Sequence, residues 1–444
     1  MTTPRVRRAH AGRRFAALAV AGAVALTGTA IAGCGGDDEG GGGDDGSGGG
    51  TTTLTFVHPQ DPGTFDKVIA GFEKANPDIK IEEQIVPFDD LNPTIQSRLG
   101  SNDPSIDLYD VDEPRLAAFA ARGFLAEVGD LREQAEGKVD PNALDITTYQ
   151  GKQYAMPRWT STQLLFFNTK LLQKAGVEAP SSDPEQPMTW EDLASAGAKA
   201  QSAGARWGMT FDQVDRYYQL QPLPESLGGG PGLTGDDMLT PDVTNPAWIE
   251  AFDWYASTFR DGLAPRGVAP EQTAPLFAAG NTAFYAGGPW NAAGFDDAKV
   301  DYGVAPFPLF EGGEPATSTD SWSTGISPFS EHQEEAKKFL AYMTIDAQGA
   351  WEASSNNLPV QNDAFQKYLD ELRKQGDRAS QLADIIEHAL AETSVSRPTT
   401  VGWVDFETAM NKAFADIRNG SDPAERLQAA SEELDRLLAK YRDQ

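Results

Sequence analysis

The sequence predicts an α/β protein whose parallel or mixed sheets are covered by helices. Strand-like and helix-like segments alternate along the chain, and turn-forming residues punctuate them. The stretch from Thr51 to Gln444 is also too long for one ordinary core, so two lobes are expected. Leu54-Thr55-Phe56-Val57 reads as a first strand, broken by His58-Pro59-Gln60-Asp61-Pro62-Gly63. Phe65, Val68, Ile69 and Phe72 recur at helical spacing. Asn76-Pro77 stops that helix, because proline disfavours helical geometry in the residue before it. Ile79-Lys80-Ile81-Glu82 completes a βαβ unit, and Asp107-Leu108-Tyr109-Asp110-Val111 gives a third strand with a helix expected from about Pro114.

Further along, Gly151 and Pro157 bracket a short strand and Leu164 to Phe167 is another. Thr189-Trp190-Glu191-Asp192 opens a helix with a capping-box arrangement. Helices are expected over roughly 246 to 261, 274 to 279 and 331 to 344, the last with Ser330 as N-cap. Asp422 caps a final helix with Pro423 at its first position and Leu427, Ala430, Leu434, Leu437 and Tyr441 along its apolar stripe. Gly287-Gly288-Pro289 turns the backbone sharply after a strand and presents Trp290 at its end.

The N-terminus has the three-part layout of an export signal. Arg5, Arg7, Arg8, Arg13 and Arg14 are its basic region, Phe15 to Ile31 its apolar region, and small residues precede Cys34. Ile31-Ala32-Gly33-Cys34 is similar to the bacterial lipobox, which implies a diacylglycerol thioether on Cys34 and cleavage before it. An uncleaved membrane span is the alternative, since Phe15 to Ala32 approaches spanning length; this segment is rich in Ala and Gly and has no stop-transfer charges before Cys34. Export through the general secretory route or, by Arg13-Arg14, the twin-arginine route fits the same leader. Two or three acyl chains, at ~0.8 kcal/mol per buried methylene, anchor far better than one. Gly35 to Gly50, almost wholly Gly, Asp, Glu and Ser, reads as a tether that spans ~20 to 24 Å as a flexible coil.

The net charge is −30, and loss of a leader with five arginines and no acid takes it to −35. That balance opposes nucleic-acid binding, which needs clustered Lys and Arg. With Cys34 the only cysteine, the fold carries no disulfide. His10, His58, His332 and His388 are dispersed, so no metal site and no cofactor is expected. Gly230-Pro231-Gly232-Leu233-Thr234-Gly235 matches a dinucleotide fingerprint by letter, but no strand leads into it and it reads as a loop.

Several separated segments, in order, carry a resemblance. They are Phe72-Glu73-Lys74-Ala75-Asn76-Pro77-Asp78-Ile79, Gly151-Lys152-Gln153-Tyr154-Ala155-Met156-Pro157, Leu165-Phe166-Phe167-Asn168-Thr169-Lys170-Leu171-Leu172 and Thr189-Trp190-Glu191-Asp192-Leu193. Phe277-Ala278-Ala279-Gly280-Asn281-Thr282-Ala283-Phe284, Gly288-Pro289-Trp290 and Tyr302-Gly303-Val304-Ala305-Pro306-Phe307-Pro308 follow. Together they resemble the extracellular solute-binding proteins of bacterial ABC importers, in particular the carbohydrate-binding, maltose-binding-protein-like group.

The resemblance implies a two-lobed α/β fold of the periplasmic-binding-protein type (type II), hinged between lobes that close over ligand. Residues 1–33 are then the signal peptide and 34–50 the lipidated cysteine and linker. Lobe one is 51–158 with 319–358, and lobe two 159–318 with 359–444. The implied protein is a monomer and not an enzyme, held by lipid on the outer face of the cytoplasmic membrane. It captures a neutral carbohydrate and delivers it to the permease subunits.

Sugar recognition needs flat aromatic faces for ring C–H groups and planar donors and acceptors for hydroxyls. Of the nine tryptophans, Trp159, Trp290, Trp322 and Trp403 fall in expected cleft loops, whereas Trp190, Trp207, Trp248, Trp254 and Trp351 fit packing positions. In lobe one, the resemblance points to Asp112 and Arg115 as hydroxyl binders, with a structural ion pair as the alternative for Arg115; His58 and Asp61 follow the first strand. In lobe two it favours Asp215 and Tyr217. The run Arg158-Trp159-Thr160-Ser161-Thr162-Gln163 lacks the acidic residue that the maltose binder has there, a departure from maltodextrin specificity.

A glycoside hydrolase would need two carboxylates flanking one bond, and 66 acids single out no pair. A polyol, glycerol phosphate or peptide cargo in the same transporter role stays open, as does a sensory or adhesion lipoprotein. A phosphate cargo would call for several cleft cations, and the strand-end loops supply mainly Asp and Trp.

Overall fold

The computed structural model describes residues 50–355 and 357–442. The export signal, Cys34 and the linker up to position 49 lie outside the described residues. Among the described residues, ten strands make the two main sheets. In chain order they are β1 (Thr52–His58), β2 (Ile79–Ile85), β3 (Leu108–Asp112), β4 (Ala155–Thr160), β5 (Leu164–Asn168), β6 (Trp207–Phe211), β7 (Thr282–Gly287), β8 (Tyr302–Pro306), β9 (Trp322–Ile326) and β10 (Leu358–Pro359).

The first sheet has the order β10-β4-β9-β3-β1-β2 and the second β8-β5-β7-β6. Both are mixed. β1 runs parallel to β2 and β3, while β9 lies antiparallel to β3 and β4. In the second sheet β7 is parallel to β6 and antiparallel to β5. Within the described residues the chain passes between the sheets three times: from β4 to β5, from β8 to β9, and after β10 into the helix Asn362–Arg373.

Apart from the edge strand β2, each sheet is buried on both faces, as helix-covered strands require. Phe56, Phe72 and Phe339 fill one side of the first sheet, and Val57, Tyr109 and Phe119 the other. The second sheet is backed by helices Pro246–Arg260 and Trp403–Arg418, where Phe252 and Phe414 stack at 4.6 Å and 4°. Burying each such ring contributes about 1.5–3 kcal/mol. Helix starts follow local chemistry. Thr189 Oγ1 accepts from Asp192 N at 3.1 Å, and Asp422 accepts from Glu425 N at 3.0 Å.

Some local expectations are corrected. Pro157 lies inside β4 rather than ending it; its carbonyl can still pair although it has no N–H. Ser330 is not an N-cap: the helix begins at Gln333, and Ser330 instead bonds to Asp107 from a tight turn. In the last helix, Pro423–Arg442, Leu438 rather than Leu437 is fully buried, because the step from Leu434 is one turn of four residues. Leu233–Thr234, within the glycine-rich loop, pairs with Thr240–Pro241 beyond it in a small antiparallel ladder.

Candidate functional site

The carboxyl ends of β1, β3, β4, β6 and β7 meet the start of β9 at one cavity of about 370 Å³ between the two sheets, the position at which open α/β sheets bind ligands. From the first sheet come Asp61, Phe88, Asp112 and Trp322; from the second come Gln213, Arg216, Tyr218 and Trp290. Asp320, Ser355, Arg397 and Glu407 are among its further lining residues.

Trp290 is held by chemistry behind it. Its Nε1 donates to Asp212 Oδ2 at 3.0 Å, and the same carboxylate accepts from Asn291 Nδ2 at 3.0 Å and Tyr285 OH at 2.6 Å. Burial pushes the Asp212 carboxyl up, and those three donors oppose the shift. Gly288 makes the arrangement possible, since a Cβ there would stand 1.9 Å from the Trp290 ring. The Tyr218 ring lies 6.2 Å from Trp290, tilted by 47°. On the opposite wall Phe88 meets Trp322 edge-on at 5.8 Å. The Arg216 guanidinium lies 4.6 Å over Phe88 and donates to Asp89 Oδ1 at 3.0 Å, so it links the walls.

A buried ionic cluster supports this cavity. Arg397 makes a fork to Asp112, with Nη2 to Oδ1 at 2.8 Å and Nη1 to Oδ2 at 3.1 Å. Arg115 donates to Asp112 and to Glu407. The Arg397 backbone N–H donates to Asp320 Oδ2 at 3.0 Å. Burial pushes the Asp320 carboxyl up to about 6 against the pull of the Arg397 charge. Burial and then the charge of Asp320 push Glu113 well above the usual carboxylate range, and burial raises Glu407 as well.

The family of bacterial extracellular solute-binding proteins matches residues 58–350. The chain belongs to that family. This solute-binding protein is 28% identical to the maltodextrin-binding protein MdxE of Bacillus subtilis (strain 168) over 318 residues, 68% of this chain and 72% of the relative. It is 23% identical to the diacetylchitobiose binding protein DasA of Streptomyces coelicolor over 441 residues, 96% of this chain and 98% of the relative. Among solved structures, the ABC substrate-binding protein Lmo0181 of Listeria monocytogenes in complex with cycloalternan superposes with a TM-score of 0.77 at 25% identity, covering 88% of this chain and 99% of that one. The fold is accordingly the expected two-lobed type.

Of the residues singled out in the sequence, Asp61, Asp112, Trp290 and Trp322 line the cavity of this solute-binding protein. Six others are placed elsewhere. Arg115, 6% exposed, holds Asp112 and Glu407, which is its ion-pair alternative. His58 is fully buried, with Nε2 3.0 Å from Glu83 Oε1, and burial lowers its pKa. Trp159 stacks on Phe65 at 5.8 Å and donates to the Ala353 carbonyl at 3.1 Å. Asp215 pairs with Arg418 at 3.1 Å. Tyr217 is buried, with its hydroxyl donating to the Pro231 carbonyl at 2.6 Å. Trp403 starts a helix rather than sitting in a loop and is packed edge-on against Tyr217 at 5.3 Å.

Sequence reasoning missed Tyr218, Arg216, Asp320, Arg397 and Phe88. Consecutive helical residues point about 100° apart, so burying Tyr217 turns Tyr218 to another side; the paired tyrosines were the available signal. Asp320 stands two residues before Trp322, and Arg397 precedes Pro398 in a loop already under suspicion. For Phe88 no sequence signal exists beyond an isolated aromatic after Pro87.

Proposed function

We propose that this chain is the substrate-capturing component of an ABC importer and takes a neutral carbohydrate into the cavity between its lobes. The observation that carries this reading is the pairing of aromatic faces from both lobes, Trp290 with Tyr218 and Trp322 with Phe88, around planar polar groups of Asp112, Gln213 and Arg397. Pyranose rings offer C–H faces and in-plane hydroxyls that match such a set. The kinship to binders of maltodextrin, diacetylchitobiose and cycloalternan supports it. A phosphorylated or carboxylated cargo fits worse, since Arg397 is committed to Asp112 and Asp320, and Arg216 to Asp89.

In this reading the protein performs no bond chemistry. Sugar docks on one lobe, the second closes over it, and the closed form engages the permease. Ligand drives closure only by binding the closed state better. The chain acts as a monomer, its lobes divided at 51–158 with 319–358 and at 159–318 with 359–444 except that β4 and β10 keep Trp159, Thr160 and Pro359 with lobe one, and is tethered outside the cell by lipid on Cys34. A thermal-shift screen of mono-, di- and oligosaccharides against sugar phosphates and peptides tests the cargo. Stabilisation grows with ligand concentration for the true cargo, and stabilisation by a charged non-sugar alone overturns the carbohydrate assignment. Release of a Cys34→Ser variant from membranes into the medium tests the anchor; retention on the membrane overturns it.

A further inference from the structure

A second cavity of about 430 Å³ lies beside the first. Its walls come from helix Asn291–Asp297 and β8 on one side, helix Ala347–Ser354 on another, and the helices Asn362–Arg373 and Asp377–His388. Helix Asn291–Asp297 begins immediately after Trp290, so one end of this cavity adjoins the aromatic wall of the cleft. Ser355 lines both cavities, and it also lines a smaller recess of about 240 Å³ that shares Trp351 with the second. The three spaces therefore meet at one residue.

Ser355 has a backbone conformation that side-chain-bearing residues seldom adopt, with φ 51° and ψ −116°. Such geometry persists only where the surroundings impose it, and it concentrates at ligand clamps and switches. The second cavity also repeats the chemistry of the first. Trp351 and Tyr368, both half-buried, supply aromatic surface. Lys367 Nζ stands 4.3 Å over the Trp351 ring, and Arg378 lies 4.1 Å over Tyr302 while paired with Asp296. Glu371 and Gln375 add acceptors and donors at the wall. The planar carboxylates of Asp296 and Glu371, the amide of Gln375 and the guanidinium of Arg378 line the cavity beside these aromatics, a combination that suits a polyhydroxylated ring.

We infer that the cleft continues past Ser355 into a second sugar subsite built on Trp351 and Tyr368, so that the cargo is an oligosaccharide long enough to occupy both cavities. This rests on the carbohydrate reading of the first cavity. Trp351, assigned to packing from the sequence, becomes a specificity residue for chain length.

The test is calorimetry with α-1,4-glucosaccharides, β-1,4-galactosaccharides and β-1,4-N-acetylglucosaminosaccharides of one to six units, on the unaltered protein and on Trp351→Ala. Affinity is expected to rise with length in the series that binds. Trp351→Ala should lower affinity for the longer members on the order of tenfold, the scale of a lost aromatic contact, and leave the shortest binding member within twofold. Equal weakening at every length, or an unaltered length dependence, overturns the subsite while leaving the carbohydrate reading in place. Binding by no member of any series overturns that reading and the subsite with it. Indole oxidation mapped by mass spectrometry on the unaltered protein gives a measurement independent of any variant's folding. Trp351 should be protected by long members and not by the shortest, and equal oxidation in both overturns the subsite.

Discussion

The indole Nε1 of Trp290 donates to the buried carboxylate of Asp212 at 3.0 Å, so the orientation of a cleft aromatic is set by a group outside the cavity. Asp212→Ala should leave Trp290 Nε1, Tyr285 OH and Asn291 Nδ2 without their common acceptor. The expected result is a loss of about 1–3 kcal/mol in stability per strongly affected group, with a roughly tenfold drop in sugar affinity as the ring loses its fixed pose. Urea unfolding and calorimetry check the two halves separately.

Trp290→Ala should behave differently from Trp403→Ala. Trp290 is half-buried at the cavity wall, so its removal should weaken carbohydrate binding and shift the melting temperature little. Trp403 is fully buried against Tyr217 and Phe406. Its truncation should cost about 3–5 kcal/mol of stability, with near-native affinity in the fraction that folds. Unfolding curves and binding isotherms on both variants make the comparison.

Arg397→Met removes the fork that neutralises Asp112. Asp112 then keeps only Arg115 as a cationic partner, and the cluster holds an uncompensated buried carboxylate charge, which should destabilise the protein by up to about 3–5 kcal/mol; Asp112→Leu added to it should recover part of the loss. A double-mutant cycle in urea measures the coupling.

Asp320 titrates near 6 in the folded chain, against an ordinary 3.8, because burial outweighs the help from Arg397. The folded state therefore holds a proton that the unfolded state has released between those values, and this group's contribution to stability falls as pH rises from about 4 to 6. Asp320→Asn should flatten that fall relative to the unaltered protein. Urea unfolding at pH 4, 5, 6 and 7 reads the difference; parallel curves would show that Asp320 carries none of it.

The framework was legible because its signals are local. β1, its turn and the helix after it follow from Leu54 to Pro77 alone, and Gly288 and Pro289 announce a tight turn with Trp290 at its end. The ionic cluster was not, because Arg397 and Asp112 are separated by 285 residues and meet only through the crossing of the chain between sheets. Tryptophan position in a loop or near one does not decide which way a ring turns. Trp159 and Trp322 stand opposite each other in register on neighbouring strands, yet β4 carries a bulge there, and only Trp322 lines the cavity.

The placement of β9 has a consequence for biosynthesis. This strand, Trp322–Ile326, sits between β4 and β3, and without it the first sheet is two unconnected fragments. An emerging polypeptide thus has its N-terminal half waiting, incomplete, until more than three hundred residues have been translated. Such long-range dependence slows maturation, because the pairs that β9 makes with β3 and β4 join segments far apart in the chain.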